Sequence, residues 1–152
     1  MARPHPLRRL MKTPLPTIAE QKKKPYRPTL KEVRDTYNLI NKYIFNNKLN
    51  RPPLKIGPWK NIWGMCIGGV YRTRTGSKCW IKLSDKYYCV QWFVVTLAHE
   101  MVHQYEWDIL EKNMTHRQSF FEWRIVFDEF NIPLKTCYST DLWFKYQNLD
   151  KL

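Results

Sequence analysis

The chain has 152 residues, 43% of them apolar, and carries 26 Lys/Arg against 13 Asp/Glu for a net charge of +13. That length suits one domain with room for a core, and that charge favours acidic partners, nucleic acid or an anionic surface, over neutral ones. The longest apolar run, residues 92–98 with Thr96 inside it, is too short to span a bilayer. Cys66, Cys79, Cys89 and Cys137 form no C-x-x-C, which argues against a cysteine zinc site, and the first residues lack the apolar core of a secretory leader. An intracellular protein with reduced thiols and no membrane segment is expected.

Residues 1–28 hold six of the ten prolines and eight Lys/Arg, among them Lys22, Lys23 and Lys24, against one acid. They read as a disordered, extended basic tail that can contact phosphate without sequence preference. Thr29 with Glu32 is a capping-box pattern, and Val33, Tyr37, Ile40 and Ile44 follow at helical spacing, so a helix is expected over residues 30–46. Asn46-Asn47 ends it and Pro52-Pro53 delays the next element.

Residues 54–86 predict a small three-stranded sheet. A short strand covers residues 54–56. A second, over 64–73, contains Gly68-Gly69, the mark of a bulge or a tight approach. The third, over 78–83, alternates, sending Cys79, Ile81 and Leu83 one way and Lys78, Trp80 and Lys82 the other. It is the expected sheet edge. The outward set, with Trp59, Lys60, Trp63, Tyr71, Arg72 and Arg74, mixes cations and aromatic rings. That mixture holds single-stranded nucleic acid without base readout, and Lys22, Lys23, Lys24, Arg72, Arg74, Lys78 and Lys82 are the candidate contacts.

A helix is expected over residues 87–110, its core stripe running through Val90, Phe93, Val94, Leu97, Met101 and Tyr105. It carries Thr96-Leu97-Ala98-His99-Glu100-Met101-Val102-His103, and therefore H-E-x-x-H. Residues four apart on a helix lie about 40° apart around the axis and about 6 Å apart along it, so His99 and His103 can share one metal ion. Glu100 stands beside that face, within reach of a metal-bound water. A hydrolytic zinc site takes three protein ligands and keeps one position open. The other histidines are His5, in the tail, and His116, 13 residues beyond His103. Thr115 with Gln118 suggests another cap, and a helix over residues 116–130 would turn Phe120, Trp123, Phe127 and Phe130 inward with His116 in its first turn. The plain alternative is a solvated helix face that carries two histidines. Residues 99–133 hold seven acids against three Lys/Arg, whereas residues 29–98 hold three against twelve. Two surfaces with different partners are expected.

On these residues the chain resembles the SprT-like metalloproteases, the group that includes Spartan. The likeness covers roughly residues 30–130 and rests on the motif above, on Tyr105 and Trp107 after it, and on His116 with Phe120 and Phe121 behind it. Tyr43-Ile44-Phe45 before Leu49, Gly64, and Ile81-Lys82-Leu83-Ser84 add to it. The resemblance implies an α+β, minimal zincin-like domain over residues 29–133: an N-terminal helix, a small sheet, the motif helix, and a further helix with the third ligand. It implies one Zn²⁺ held by His99, His103 and His116, with Glu100 as general base. Relatives act on proteins attached to DNA, in the repair of DNA–protein crosslinks, and are switched on by DNA. Arg117 stands where the family usually has Gly after the third histidine. Residues 134–152, read as an extension packed on the domain, hold only Cys137, so no zinc ribbon is expected there.

The expected function is that of a monomeric zinc metalloendopeptidase acting on DNA-bound proteins. Zinc lowers the pKa of its bound water toward about 7, and Glu100 takes that water's proton and passes it to the leaving amine. Glu106 and Asp108 are candidate partners for the outer ring nitrogens. Arg117 and Tyr138 are candidates for steadying the oxyanion, and the substrate is expected to add to the strand over residues 78–83. The rival readings are a nucleic-acid-binding protein with a structural or vestigial zinc site, a metallohydrolase for another bond, and an adaptor without metal.

Overall fold

The computed structural model describes residues 5–135. It is an α+β arrangement of short helices around a three-stranded mixed sheet. The elements are α1 (Pro6–Met11), α2 (Ile18–Lys23), α3 (Leu30–Tyr43), β1 (Leu54–Gly57), β2 (Gly64–Gly68), β3 (Cys79–Ser84), α4 (Val90–Gln104), α5 (Gln118–Phe121) and α6 (Arg124–Glu129). A π-helical turn, Tyr105–Ile109, extends α4.

The capping box of α3 forms as its sequence predicts. Thr29 Oγ1 accepts from the Glu32 amide at 3.1 Å, and Glu32 Oε1 accepts from the Thr29 amide at 3.2 Å. Val33, Tyr37 and Ile40 line its buried face. The helix stops at Tyr43, short of residue 46, and Asn46 and Asn47 turn the chain at φ 53° and 58°, a region that asparagine tolerates.

The sheet order is β1-β3-β2, with β1 parallel and β2 antiparallel to β3. This corrects the expectation that residues 78–83 form an edge. Alternation identifies which side of a strand is buried, not which neighbours it pairs with. Cys79, Ile81 and Leu83 are fully buried as expected, and the strand carrying them sits in the middle. The edges are β1 and β2.

The N-terminal segment is a second correction. From residue 5 it folds onto the body instead of extending. Leu7 is fully buried, Arg8 Nε donates to the Glu129 carbonyl at 2.9 Å, and Gln91 Nε2 donates to the Thr13 carbonyl at 2.8 Å. Tyr26 and Tyr87 exchange backbone hydrogen bonds at 2.7 and 2.8 Å. The prolines are compatible with this because Pro6 opens α1, where no amide partner is lost. The basic composition hid a few apolar anchors.

α4 is the central helix. Every residue from Gln91 to Gln104 is buried, so it has no solvated face of the kind the plain alternative needs. Beyond it, the helix expected over residues 116–130 is broken into α5 and α6. The Thr115 hydroxyl donates to Glu106 Oε2, and Arg117 occupies the N-cap of α5. His116 thus lies on the loop ahead of the helix. Phe120, Phe127 and Phe130 are buried as expected, while Trp123 is only partly so and packs on Phe45 at a ring separation of 4.6 Å. Cys137, Tyr138 and most of the expected C-terminal extension fall outside the described residues. Among the described residues, no helix is long and apolar enough to cross a membrane.

Candidate metal centre

α4 presents His99 and His103 one turn apart, and the loop before α5 brings His116 to meet them. His116 Nε2 lies 3.0 Å from His103 Nε2 and 3.3 Å from His99 Nε2. One ring nitrogen from each histidine fits within a 4.8 Å sphere of mutual distances. The Phe120 ring floors the cluster, its centroid 4.8–4.9 Å from all three imidazoles. His99 and His103 are 6% and 8% exposed, and His116 is open to solvent.

Burial favours the ligating, neutral form of the His99 and His103 rings. It pushes the His99 pKa down to about 3, with the neighbouring His103 and His116 adding to the effect and a backbone hydrogen bond to Lys135 opposing it. Burial also lowers the pKa of His103, against the pull of the Glu106 carboxylate. A neutral imidazole keeps the lone pair that a cation requires.

Glu106 is the partner of His103, its Oε1 2.9 Å from the ring Nδ1. Asp108, the other candidate from sequence, is elsewhere. It accepts from Ser77 Oγ at 2.6 Å, the Lys78 amide at 2.9 Å and Gln104 Nε2 at 3.1 Å, and so anchors the β2–β3 connection to the end of α4. Gln104 belongs to the same network, accepting from Tyr37 Oη at 2.7 Å.

Glu100 lies beside the cluster, its Oε1 3.7 Å from His99 Nε2. Burial pushes this carboxyl up to about 8, and a hydrogen bond from the Cys66 backbone pulls the other way. The packing that admits it depends on Gly64. A Cβ there would lie 2.8 Å from Thr96 Cγ2 and 3.3 Å from Glu100 Cγ. At the other end of β2, a Cβ on Gly68 would come within 2.6 Å of the Trp107 ring, whose Nε1 donates to the Gly69 carbonyl at 3.0 Å. The Gly68-Gly69 pair therefore marks a tight approach.

The cluster opens into a cavity of about 450 Å³, walled by residues 61–66 on one side and by Met114, Thr115 and His116 on the other. The bonds from the Gly69 amide to the Lys78 carbonyl and from the Ser84 amide to the Trp63 carbonyl define the β2–β3 ladder. In that ladder Met65 and Ile67 pair inward to β3, and Gly64, Cys66 and Gly68 turn their backbone groups to the free edge.

The candidate nucleic-acid contacts are dispersed. Lys22, Lys23 and Lys24 are exposed at the end of α2, and Arg72 and Arg74 are exposed in the β2–β3 connection, where Arg72 Nη1 donates to the Gly76 carbonyl. Lys78 and Lys82 are half-buried on β3 and its approach. Lys82 does join a patch. It pairs with Lys55 on one side and Met65 on the other, and Ile67 pairs with Trp80. The Lys82 and Lys55 ammonium groups sit 4.7 and 4.9 Å from the Trp59 and Trp80 ring centroids. Trp80, Met65 and Ile67 remain 41%, 41% and 37% exposed, so this sheet face is uncovered. Lys55 went unnoticed in the sequence because its strand is too short to show alternation.

Thr115, expected only as a cap, and Ser119 also bind Glu106. Their only signal was a carboxylate three residues after His103, with no indication of what would meet it. Compared with family models, curated proteins and solved structures, the chain finds no match.

Proposed function

We propose that this protein is a zinc-dependent endopeptidase of the SprT-like, zincin-like kind, acting on proteins associated with DNA. The observation that carries the reading is the convergence of three histidine Nε2 atoms beside a buried glutamate in an open cavity. The donor set fits the ion. Zn–N bonds of about 2.0–2.1 Å in a tetrahedron separate the ligand atoms by about 3.3–3.4 Å, against 3.0 and 3.3 Å for the two closest nitrogen pairs here.

His99, His103 and His116 would hold the zinc, which when bound supplies Lewis acidity and a more acidic water. The chain's own groups do the rest. Glu100 accepts a proton from the attacking water and hands it to the leaving amine. Its burial raises its proton affinity toward the working range of a base at neutral pH, before any metal charge is added. An extended peptide lies along the free edge of β2, where Gly64 and Gly68 offer backbone groups next to the cluster. The acidic stretch over residues 99–133 draws cationic proteins to this side. The uncovered sheet face, with Trp80, Lys55 and Lys82, suits single-stranded nucleic acid.

That same face favours the second reading, a nucleic-acid-binding protein whose histidine cluster is structural. A structural site needs no neighbouring base, and Glu100 separates the two. Cleavage of a basic DNA-binding protein by the zinc-loaded chain, followed on a gel with and without single-stranded DNA, tests the reading. Cleavage that requires Glu100 and rises with DNA is expected. Salt-dependent DNA binding without cleavage by wild type would establish the second reading instead.

A further inference from the structure

We propose that Glu106 is a positioning residue that couples the second and third metal ligands, so that the three-histidine cluster is assembled before an ion enters. The inference rests on the reading of the cluster as a metal centre and adds how that centre is built.

Glu106 is fully buried and stands on the π-helical turn, three residues after His103. Its carboxylate receives four bonds. Oε1 meets His103 Nδ1 at 2.9 Å and the Thr115 amide at 3.1 Å. Oε2 meets Thr115 Oγ1 at 3.0 Å and Ser119 Oγ at 2.6 Å. A carboxylate has about four acceptor sites, and here each is matched by a donor.

Two consequences follow from that geometry. With the carboxylate already accepting from the Thr115 amide, the Thr115 hydroxyl and the Ser119 hydroxyl, the geometry places His103 to donate from Nδ1, which leaves Nε2 facing the cluster with a bare lone pair. Thr115 directly precedes His116 and Ser119 follows it by three, so the same carboxylate grips the His116 loop on both sides of the ligand. His116 itself is exposed and on a loop, where nothing in its own element would hold the ring still. Glu106 stands on the π-helical turn that ends α4. The wider bond of that turn, from the Leu110 amide to the Tyr105 carbonyl at 3.1 Å, belongs to the kind of local helix widening that recurs at functional sites.

Asp108 provides the control within the molecule. It lies on the same turn and also collects several donors, but it serves Ser77, Lys78 and Gln104 and touches no histidine. If Glu106 merely held the fold together, the two carboxylates would be equivalent toward metal.

The test uses the full chain as wild type, Glu106→Gln, Thr115→Val and Asp108→Asn. Zinc affinity is measured by competition with a chelator, and the tautomer of His103 is read from ring ¹⁵N shifts in the metal-free protein. Loss of such an orienting partner costs about 10–100-fold in metal affinity, and that fall is expected for Glu106→Gln. Thr115→Val should lose affinity by a smaller factor while keeping the His103 tautomer, and Asp108→Asn should bind zinc as wild type does. Metal-free wild type should show His103 protonated on Nδ1. Equal zinc affinity for wild type and Glu106→Gln, or a His103 protonated on Nε2, would overturn the proposal. Should Glu106→Gln fail to fold, Thr115→Val and the wild-type tautomer decide. A wild type that takes up no zinc would instead defeat the metal-centre reading, while the tautomer still reports on Glu106.

Discussion

Gly64→Ala tests how closely β2 and α4 must approach to place the base. The added methyl would lie 2.8 Å from Thr96 Cγ2, and 3.3 Å from both Glu100 Cγ and Leu83 Cδ2. Carbon atoms rest at about 3.5–4.0 Å, so α4 must retreat from β2 by several tenths of an ångström, up to about 1 Å at Thr96. Overpacking of this kind costs about 1–3 kcal/mol, and each kcal/mol lowers Tm by about 2–4 °C in a domain of this size. A displacement of about 1 Å at a reacting group costs on the order of 100-fold in rate. Gly64→Ala should therefore lose several degrees of Tm and tens- to a hundredfold in peptidase rate, and zinc affinity should fall with them, because His99 and His103 ride on α4 while His116 does not. Removing the clashing Cγ2 with Thr96→Ser, which keeps the hydroxyl donating to the Trp92 carbonyl, should restore part of both losses. Differential scanning fluorimetry and initial rates on one substrate measure the cycle. A Gly64→Ala variant with wild-type Tm and rate would refute the packing argument, as would a double variant that recovers neither.

Three further outcomes follow from other parts of the molecule. In the metal-free protein, His99 is shifted down to about 3 and Glu100 up to about 8. Stability should therefore fall below about pH 6.5, where the unfolded His99 and His103 take protons and Glu100 offsets only one of them, and should fall again above it, where only the unfolded Glu100 gives one up. Thermal melts in chelator should show a maximum near about pH 6.5, and Glu100→Gln should abolish the alkaline fall; an alkaline fall unchanged in that variant contradicts the assignment. Cys66→Pro removes the backbone donor that the Glu100 carboxyl receives from β2, without cutting the ladder to β3, so it should raise the Glu100 pKa and move the acid limb of the pH–rate profile upward with zinc content intact; an unchanged profile would take the Cys66 amide off Glu100. Trp80→Ala should weaken single-stranded DNA binding by about 1–3 kcal/mol and leave cleavage of a short free peptide unaltered; undiminished binding in a fluorescence titration would clear the sheet face of that role.

Features carried by local rules were legible in the sequence. The Thr29–Glu32 box needs only four consecutive residues, and the H-E-x-x-H spacing alone brings His99, Glu100 and His103 to one site. The alternation in β3 identified its buried side. What escaped depends on contacts between distant segments. Strand order follows from which partners β3 finds, which no periodicity within 78–83 records. The basic N-terminal segment looked unable to pack, yet Leu7 and a few backbone bonds dock it. The later start of α5 goes with Glu106, nine residues upstream, taking the Thr115 hydroxyl that would otherwise suit an N-cap. Glu106 itself was visible as a carboxylate near the motif, but only the folded loop distinguishes it from Asp108.

The most direct measurement is the initial rate of cleavage of a basic, unstructured polypeptide by wild type and Glu100→Gln, with zinc content determined on the same samples. The account predicts one zinc per chain in both proteins and a rate about 10²–10⁴-fold lower without the base. Equal rates in the two, or a folded, zinc-loaded wild type that cleaves nothing, would contradict it.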